Sequence, residues 1–335
     1  MIRIISVFTM VVLLVHPGRT SAQYTKQDIP QIEASTYFMK TPSIKSRIYR
    51  IALRLAGMKT KIRKLFDSGA FEAVQTAAPI PSETRETCEV RTRQTSGNRT
   101  VWEIRPKDSE PDRYLFFLHG GAFVANITSY DWKLLTRLVI NTNASIIIPD
   151  YPLTPKHNVQ DVLDMIVPEY RALVESKGAE NIILAGFSAG GGIALTLAEH
   201  AQIHHLQQPS QIILLSPLLD ATFSHPDIPE IDKVDPYLDL PGLKLAVKAY
   251  AAGIELTDYR ISPLYGPLEK LAPVHLFIGT HEIFWPDAKK LKARAEEKGL
   301  HLTYYEYHHM YHGWLFLNMP EARDAFDKLV EIIKQ

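Results

Sequence analysis

The stretch Asn181-Ile182-Ile183-Leu184-Ala185-Gly186-Phe187-Ser188-Ala189-Gly190-Gly191-Gly192-Ile193-Ala194-Leu195 decides how the rest of the chain is read. Its first five residues read as a strand, apolar from Ile182 to Ala185. From Gly190 small and apolar residues continue at helical length to about 201. Between them, Gly186-Phe187-Ser188-Ala189-Gly190 puts one serine at the tip of a strand-to-helix turn. Such a turn is tight and strained, and flanking glycines relieve the clash between neighbouring side chains. The helix that follows aims free N–H groups and the positive end of its dipole at the serine. Ser188 is therefore a candidate nucleophile. Taken alone, the same pattern also describes a glycine-rich turn whose serine merely caps a helix.

Outward from this stretch, short apolar runs at 114–118, 145–148, 212–215, 274–278 and 302–307 alternate with helical patterns such as 159–176. Runs at 89–93 and 101–105 read as a polar hairpin. Near-continuous apolar strands alternating with helices imply a mostly parallel central sheet flanked by helices on both faces, an α/β fold. The proline-rich stretch 218–265 interrupts this rhythm and reads as an insertion above the sheet, with a helix near 243–252. Residues 23–85 read as a helical segment. Within it, Ile44, Ile48, Ile51, Ala52, Leu55 and Ala56 make an apolar stripe with lysines and arginines on the other face. The stripe is expected to pack over the site; a helix lying on a membrane surface has the same pattern.

The 335 residues carry 37 basic and 37 acidic side chains, and this balance gives no reason to expect electrostatic capture of nucleic acid or of an anionic membrane. Arg3, an apolar run over 4–15 and Thr20-Ser21-Ala22 read as a secretory signal over 1–22, hence an exported chain, periplasmic or extracellular. An uncleaved N-terminal anchor is the other reading, although the run is short for a bilayer span. Cys88 is the only cysteine, so there is no intramolecular disulfide and no thiolate metal cluster. Asn98, Asn126 and Asn143 head glycosylation sequons.

A serine nucleophile needs a base, an orienting acid and donors for the oxyanion. Phe117-Leu118-His119-Gly120-Gly121-Ala122 ends a strand with two glycines, whose N–H groups, with that of Ala189, could converge on one oxygen. His119 is expected to orient this loop rather than act as a base. Downstream, Gly279-Thr280-His281-Glu282 places Glu282 just past a strand end, where an acid belongs. Asp287 is the runner-up acid, although capping of the next helix explains it equally. His308, His309 and His312 follow the last strand, and His312, before Gly313, is best placed to reach Ser188. A histidine cluster can also hold metal, but no carboxylate stands at ligand spacing, so no metal is expected.

His119-Gly120-Gly121-Ala122, Asp150-Tyr151-Pro152-Leu153-Thr154-Pro155, the turn at Ser188 and His312-Gly313 fall in one order. Together they resemble the hormone-sensitive-lipase-like branch of the α/β-hydrolases over residues 85–335. The resemblance implies an α/β-hydrolase fold with a helical cap, built from the N-terminal helices (23–85) and the insertion at about 218–265 of a catalytic part spanning 86–335. It implies carboxylesterase, lipase or acetyl-ester hydrolase activity without metal or cofactor. Two positions depart from the family pattern: Glu282 stands where Asp is usual, and Pro152 where Arg usually follows Asp-Tyr. Asp150 and Tyr151 are expected to brace the glycine loop.

These readings give a serine carboxylic-ester hydrolase acting through an acyl-enzyme, with a small-molecule ester as substrate, no nucleic-acid partner and no stable membrane insertion. Homo-oligomerisation is left open. An amide or formamide hydrolase would use the same residues, and a non-catalytic small-molecule binder would share the fold. A lipase working at an oil surface is compatible with a helical lid. Phe123, Trp314, Tyr37 and Phe38 are candidates for lining an apolar pocket, or for plain packing.

Overall fold

A computed structural model describes residues 37, 38 and 41–335. The expected signal, 1–22, lies outside the described residues, as does 23–36. The strands are β1 (Tyr37–Phe38), β2 (Glu89–Gln94), β3 (Thr100–Arg105), β4 (Tyr114–Leu118), β5 (Ser145–Pro149), β6 (Ile182–Phe187), β7 (Gln211–Leu215), β8 (Val274–Gly279) and β9 (Leu302–Tyr307). They form one sheet in the order β1-β9-β8-β7-β6-β4-β5-β3-β2. Every pairing is parallel except those that β3 makes with β2 and β5. The two-residue β1 lies inside the segment expected to be helical. It is too short to show a strand period in sequence, and pairing with β9 alone defines it.

The central strands are buried on both faces because their side chains alternate between two apolar layers. In β6, Ile182 and Leu184 enter one layer, whereas Ile183, Ala185 and Phe187 enter the other. In order of sequence the helices are α1 (Ile44–Leu55), α2 (Met58–Ser68), α3 (Glu72–Gln75), α4 (Ser82–Thr87), α5 (Ser129–Thr142), α6 (Val159–Lys177), α7 (Ala189–Ile203), α8 (Ile228–Val234), α9 (Leu240–Ala251), α10 (Trp285–Lys298) and α11 (Pro320–Lys334). Helices α6, α7 and α10 cover the first layer, and α5 and α11 the second. Helix α5 has no counterpart in the sequence reading. It begins at a capping box, in which the Thr128 hydroxyl accepts from the Asp131 N–H and the Asp131 carboxylate accepts from the Thr128 N–H. Cys88 is buried, and burial pushes its thiol pKa up, away from the reactive thiolate. Asn126 is buried too. Its amide donates to Gln75 O and Asp150 Oδ1, so this sequon is closed to a glycan.

Helices α1 and α2 meet the 228–251 segment. Arg63 pairs with Asp239 at 2.7 Å, Lys59 with Asp232 at 2.6 Å, and Arg54 donates to Val234 O. The expected rotation of α1 is reversed. Ile44, Ile48, Ile51 and Leu55 are 76, 50, 55 and 84 % exposed, whereas Ser46, Tyr49 and Leu53 are buried. Ties at the N-cap and in the middle of the helix set this rotation. The Ser43 N–H and hydroxyl both donate to Glu321, and Arg50 lies 3.3 Å from the His281 ring nitrogen. Asp239 is the N-cap of α9 and accepts from Gly242 N–H as well as from Arg63. Asp239→Ala is expected to lower stability by about 1–2 kcal/mol through loss of the cap, read as a shift in the denaturant midpoint. Asp239→Asn keeps a capping oxygen and is expected to retain most of that stability.

Candidate active site

The site forms where the carboxyl ends of β4, β6, β7, β8 and β9 meet. Ser188, between β6 and α7, has φ 57° and ψ −121°, a strained backbone for a residue with a side chain, of order 1–3 kcal/mol. Its N–H donates to Leu215 O at 2.9 Å, and its carbonyl accepts from the N–H groups of Gly192 and Leu218, so surrounding backbone holds the strain in place. A methyl group on Gly190 would lie 2.0 Å from Leu118 O and 2.3 Å from His119 O. Glycine at 190 is therefore what lets the β4 loop approach the serine turn. Gly121 has φ 125°, and a side chain there would strike Ala125 O at 2.2 Å. The close approach at Gly190 sets the Gly120-Gly121 loop beside the N-terminus of α7, where Ala189 begins the helix, and glycine at 121 lets that loop turn on itself.

His312 Nε2 lies 2.9 Å from Ser188 Oγ, and His312 Nδ1 lies 2.8 Å from Glu282 Oε2. A carboxylate can only accept, so Nδ1 carries the proton in this network and Nε2 is left to accept from the serine hydroxyl. Glu282 is fully buried, and its other oxygen accepts from Gly279 N–H and Ser216 Oγ–H, each at 2.8 Å. The imidazole is clamped by aromatic rings: Phe187 stacks on it at 4.9 Å and Phe284 meets it edge-on at 5.3 Å. Ser188, His312 and Glu282, expected from sequence, are thus one hydrogen-bonded chain.

The runner-up, Asp287, is not part of that chain. It is buried at the start of α10, and the charges acting on it are Asp220 and Lys290. His309 is held aside by its N–H bond to Thr280 Oγ1 and stacks between His281 and His308. Among the described residues no histidine, cysteine or acid group is arranged to hold a metal ion. His119 is fully buried. Its Nδ1 lies 2.7 Å from Gly120 O, and its ring stacks on Tyr151 at 4.3 Å. Burial lowers its pKa, and Tyr151 Oη donates to His119 O at 2.7 Å, so this pair braces the glycine loop. Asp150 accepts from Asn126. The Arg99 guanidinium donates to the carbonyls of Asp150 and Tyr151, so a cation reaches this motif from the hairpin although Pro152 follows the tyrosine.

Trp314 is fully buried, its ring 4.4 Å from that of Tyr307. Phe123 stacks on Tyr250 of α9 at 3.8 Å, joining the glycine loop to the insertion. Of Tyr37 and Phe38 only the strand is described. The cavity of about 740 Å³ between the hairpin and α6, lined by Arg93, Val101, Tyr114, Glu169 and Lys177 among others, contains none of the site residues.

Two residues that the sequence reading passes over complete the acid turn. Ser216 follows β7 with φ 44° and donates to Glu282. Asp235, at the end of α8, accepts from the N–H groups of Tyr237, Leu238 and Ile283, which ties the insertion to the residue next to Glu282. Position after a strand end would have flagged Ser216. Nothing local marks Asp235.

Burial, with repulsion from Asp220, pushes the Asp287 carboxyl up to about 7 from its ordinary 3.8. Between those values the folded chain binds more protons than the unfolded one, so this group's contribution falls as pH rises from about 4 to 7. Asp287→Asn is expected to raise stability at pH 8 by on the order of a few kcal/mol, read as a higher melting temperature, and to flatten the pH dependence of stability. A thermal melt series from pH 4 to 8 checks this. A variant less stable than wild type at pH 8 would contradict it.

Residues 115–316 match the profile of an α/β-hydrolase-fold family. An esterase of Acinetobacter venetianus is 32 % identical over 65 % of this chain and 73 % of its own length. An acetyl-hydrolase of Streptomyces hygroscopicus is 26 % identical over 70 % of this chain and 79 % of its own. The same fold is seen in a crystal structure described as a hormone-sensitive lipase from a metagenome library. It has a TM-score of 0.74 and 23 % identity, covering 86 % of this chain and 97 % of that one. The strained serine turn, the glycine loop packed against it and the family match converge, and the chain belongs to the α/β-hydrolase-fold family matched over residues 115–316, whose relatives here are carboxylic-ester hydrolases.

Proposed function

We propose that this chain hydrolyses small carboxylic esters in two steps through an acyl-enzyme on Ser188. The observation that carries the reading is the unbroken hydrogen-bonded run from Ser188 Oγ through His312 to Glu282. His312 Nε2 takes the hydroxyl proton as Oγ attacks the ester carbonyl carbon. The N–H groups of Gly120, Gly121 and Ala189 receive the oxyanion, each such donor being worth about 3 kcal/mol in the transition state. Glu282 holds the proton on Nδ1 and stabilises the imidazolium. The C–O bond breaks as the alcohol leaves with the proton from Nε2. Water, deprotonated by the same nitrogen, then releases the acid and restores the serine.

The helices α1 and α2 and the insertion around α8 and α9 act as the cap of this site, since they bind one another and Phe123–Tyr250 joins them to the glycine loop. An acetyl-hydrolase among the relatives supports acetyl esters within the short- to medium-chain range proposed as substrates. Export, with 1–22 removed, belongs to the same reading and is supported by the basic start, apolar run and small residues of that segment.

Wild type is expected to hydrolyse p-nitrophenyl acetate and butyrate faster than longer homologues, and esters far faster than matched anilides. Ser188→Ala should lower kcat by roughly 10⁴-fold or more and Glu282→Gln by about 10³-fold or more, both with unchanged folding. Asp287→Asn should keep near-wild-type kcat. Near-normal turnover by Ser188→Ala would overturn the reading.

A further inference from the structure

The outward apolar stripe of α1 is unexplained by the fold. Ile44, Ile48, Ile51 and Leu55 are all at least half exposed, and they recur at intervals of four, three and four, which keeps them on one face of a helix. Tyr49 and Leu53 already bury the opposite face, so the stripe is not needed for docking α1. A continuous exposed apolar strip of this kind marks a contact surface.

Charge identifies what it contacts. The chain as a whole is neutral, yet residues 44–68 hold eight lysines and arginines and one acid, Asp67. On α1 itself, Lys45 flanks the stripe on one side and Arg47 and Arg54 on the other, all three exposed. An apolar face bracketed by cations is what a helix lying in a bilayer interface presents. The isoleucines and leucine enter the acyl boundary while the long basic side chains reach the headgroup phosphates. A second copy of this chain would set these cations against one another.

We infer that α1 is a docking surface for anionic phospholipid, seating the protein in the plane of a membrane without crossing it. Among the described residues no helix is long and apolar enough to cross one. The inner face of α1 rests on the turn that carries His312, with Tyr311 Oη 3.4 Å from Ser46 O. A surface-bound protein therefore holds its catalytic turn directly behind the docked helix. Docking goes beyond ester hydrolysis, and its test does not depend on it.

The test is co-flotation of the full chain with vesicles of phosphatidylcholine, with and without phosphatidylglycerol. Wild type is expected to bind the phosphatidylglycerol vesicles at least about tenfold more tightly, with affinity falling as salt rises. Ile48→Glu/Ile51→Glu should weaken that binding about tenfold or more, and Lys45→Glu/Arg47→Glu should remove the preference for anionic vesicles. An unchanged far-ultraviolet spectrum and melting temperature in both variants shows that the fold is intact. Equal binding by Ile48→Glu/Ile51→Glu and wild type would overturn the proposal, since the contact would then lie elsewhere, such as in residues 1–36. Absence of vesicle binding, with a wild-type dimer in sedimentation velocity that the same pair splits, would assign the stripe to a second copy and overturn it equally.

Discussion

The carboxylate of Glu282 is the constraint around which the site is organised. Burying a carboxylate is costly unless donors replace water, and here three donors do so: Gly279 N–H, Ser216 Oγ–H and His312 Nδ1–H. They come from the ends of β8 and β7 and from the loop after β9. These are adjacent strands running in one direction, so a parallel sheet delivers all three to one point. The acid turn fixes the imidazole, the imidazole reaches the serine, and the strained turn at Ser188 holds because Leu215, Gly192 and Leu218 bond its backbone. Removing the Glu282 carboxylate would release the imidazole from its orientation.

Around this centre the fold keeps other carboxyl groups out of water as well. Burial pushes Asp235 up to about 6 and Asp287 to about 7. Asp235 belongs to the insertion and bonds the backbone beside Glu282, so the insertion and the acid turn are mechanically one piece. Residues 228–251 in turn bind α1 and α2 by ion pairs at Asp232 and Asp239.

Much of the fold was legible because its strands are short apolar runs bounded by turn residues. Those at 114–118 and 302–307 match the observed strands residue for residue. Glu282 and His312 were legible for a related reason, since both stand just past strand ends and the order serine, acid, histidine narrows the choice. What escaped was decided by tertiary contact. The sequence of α1 offers two apolar faces, and the richer one was expected inside; Glu321 and His281 instead turn Tyr49 and Leu53 inward. Helix α5 buries a broad face that includes the polar Asp131 and Thr136, so its inner side is not a purely apolar stripe. Asp235 sits in a polar stretch, and its bond to Ile283 spans 48 residues, a relation no local pattern encodes.

The proposed chemistry rests on Ser188 being a nucleophile activated by its bonded histidine. Reaction of the folded chain with a fluorophosphonate, followed by mass-spectrometric mapping of the adduct, tests it most directly. One adduct per chain, on Ser188, is the result expected of an activated serine. Folded protein that stays unlabelled, or carries its adduct on another residue, would contradict it.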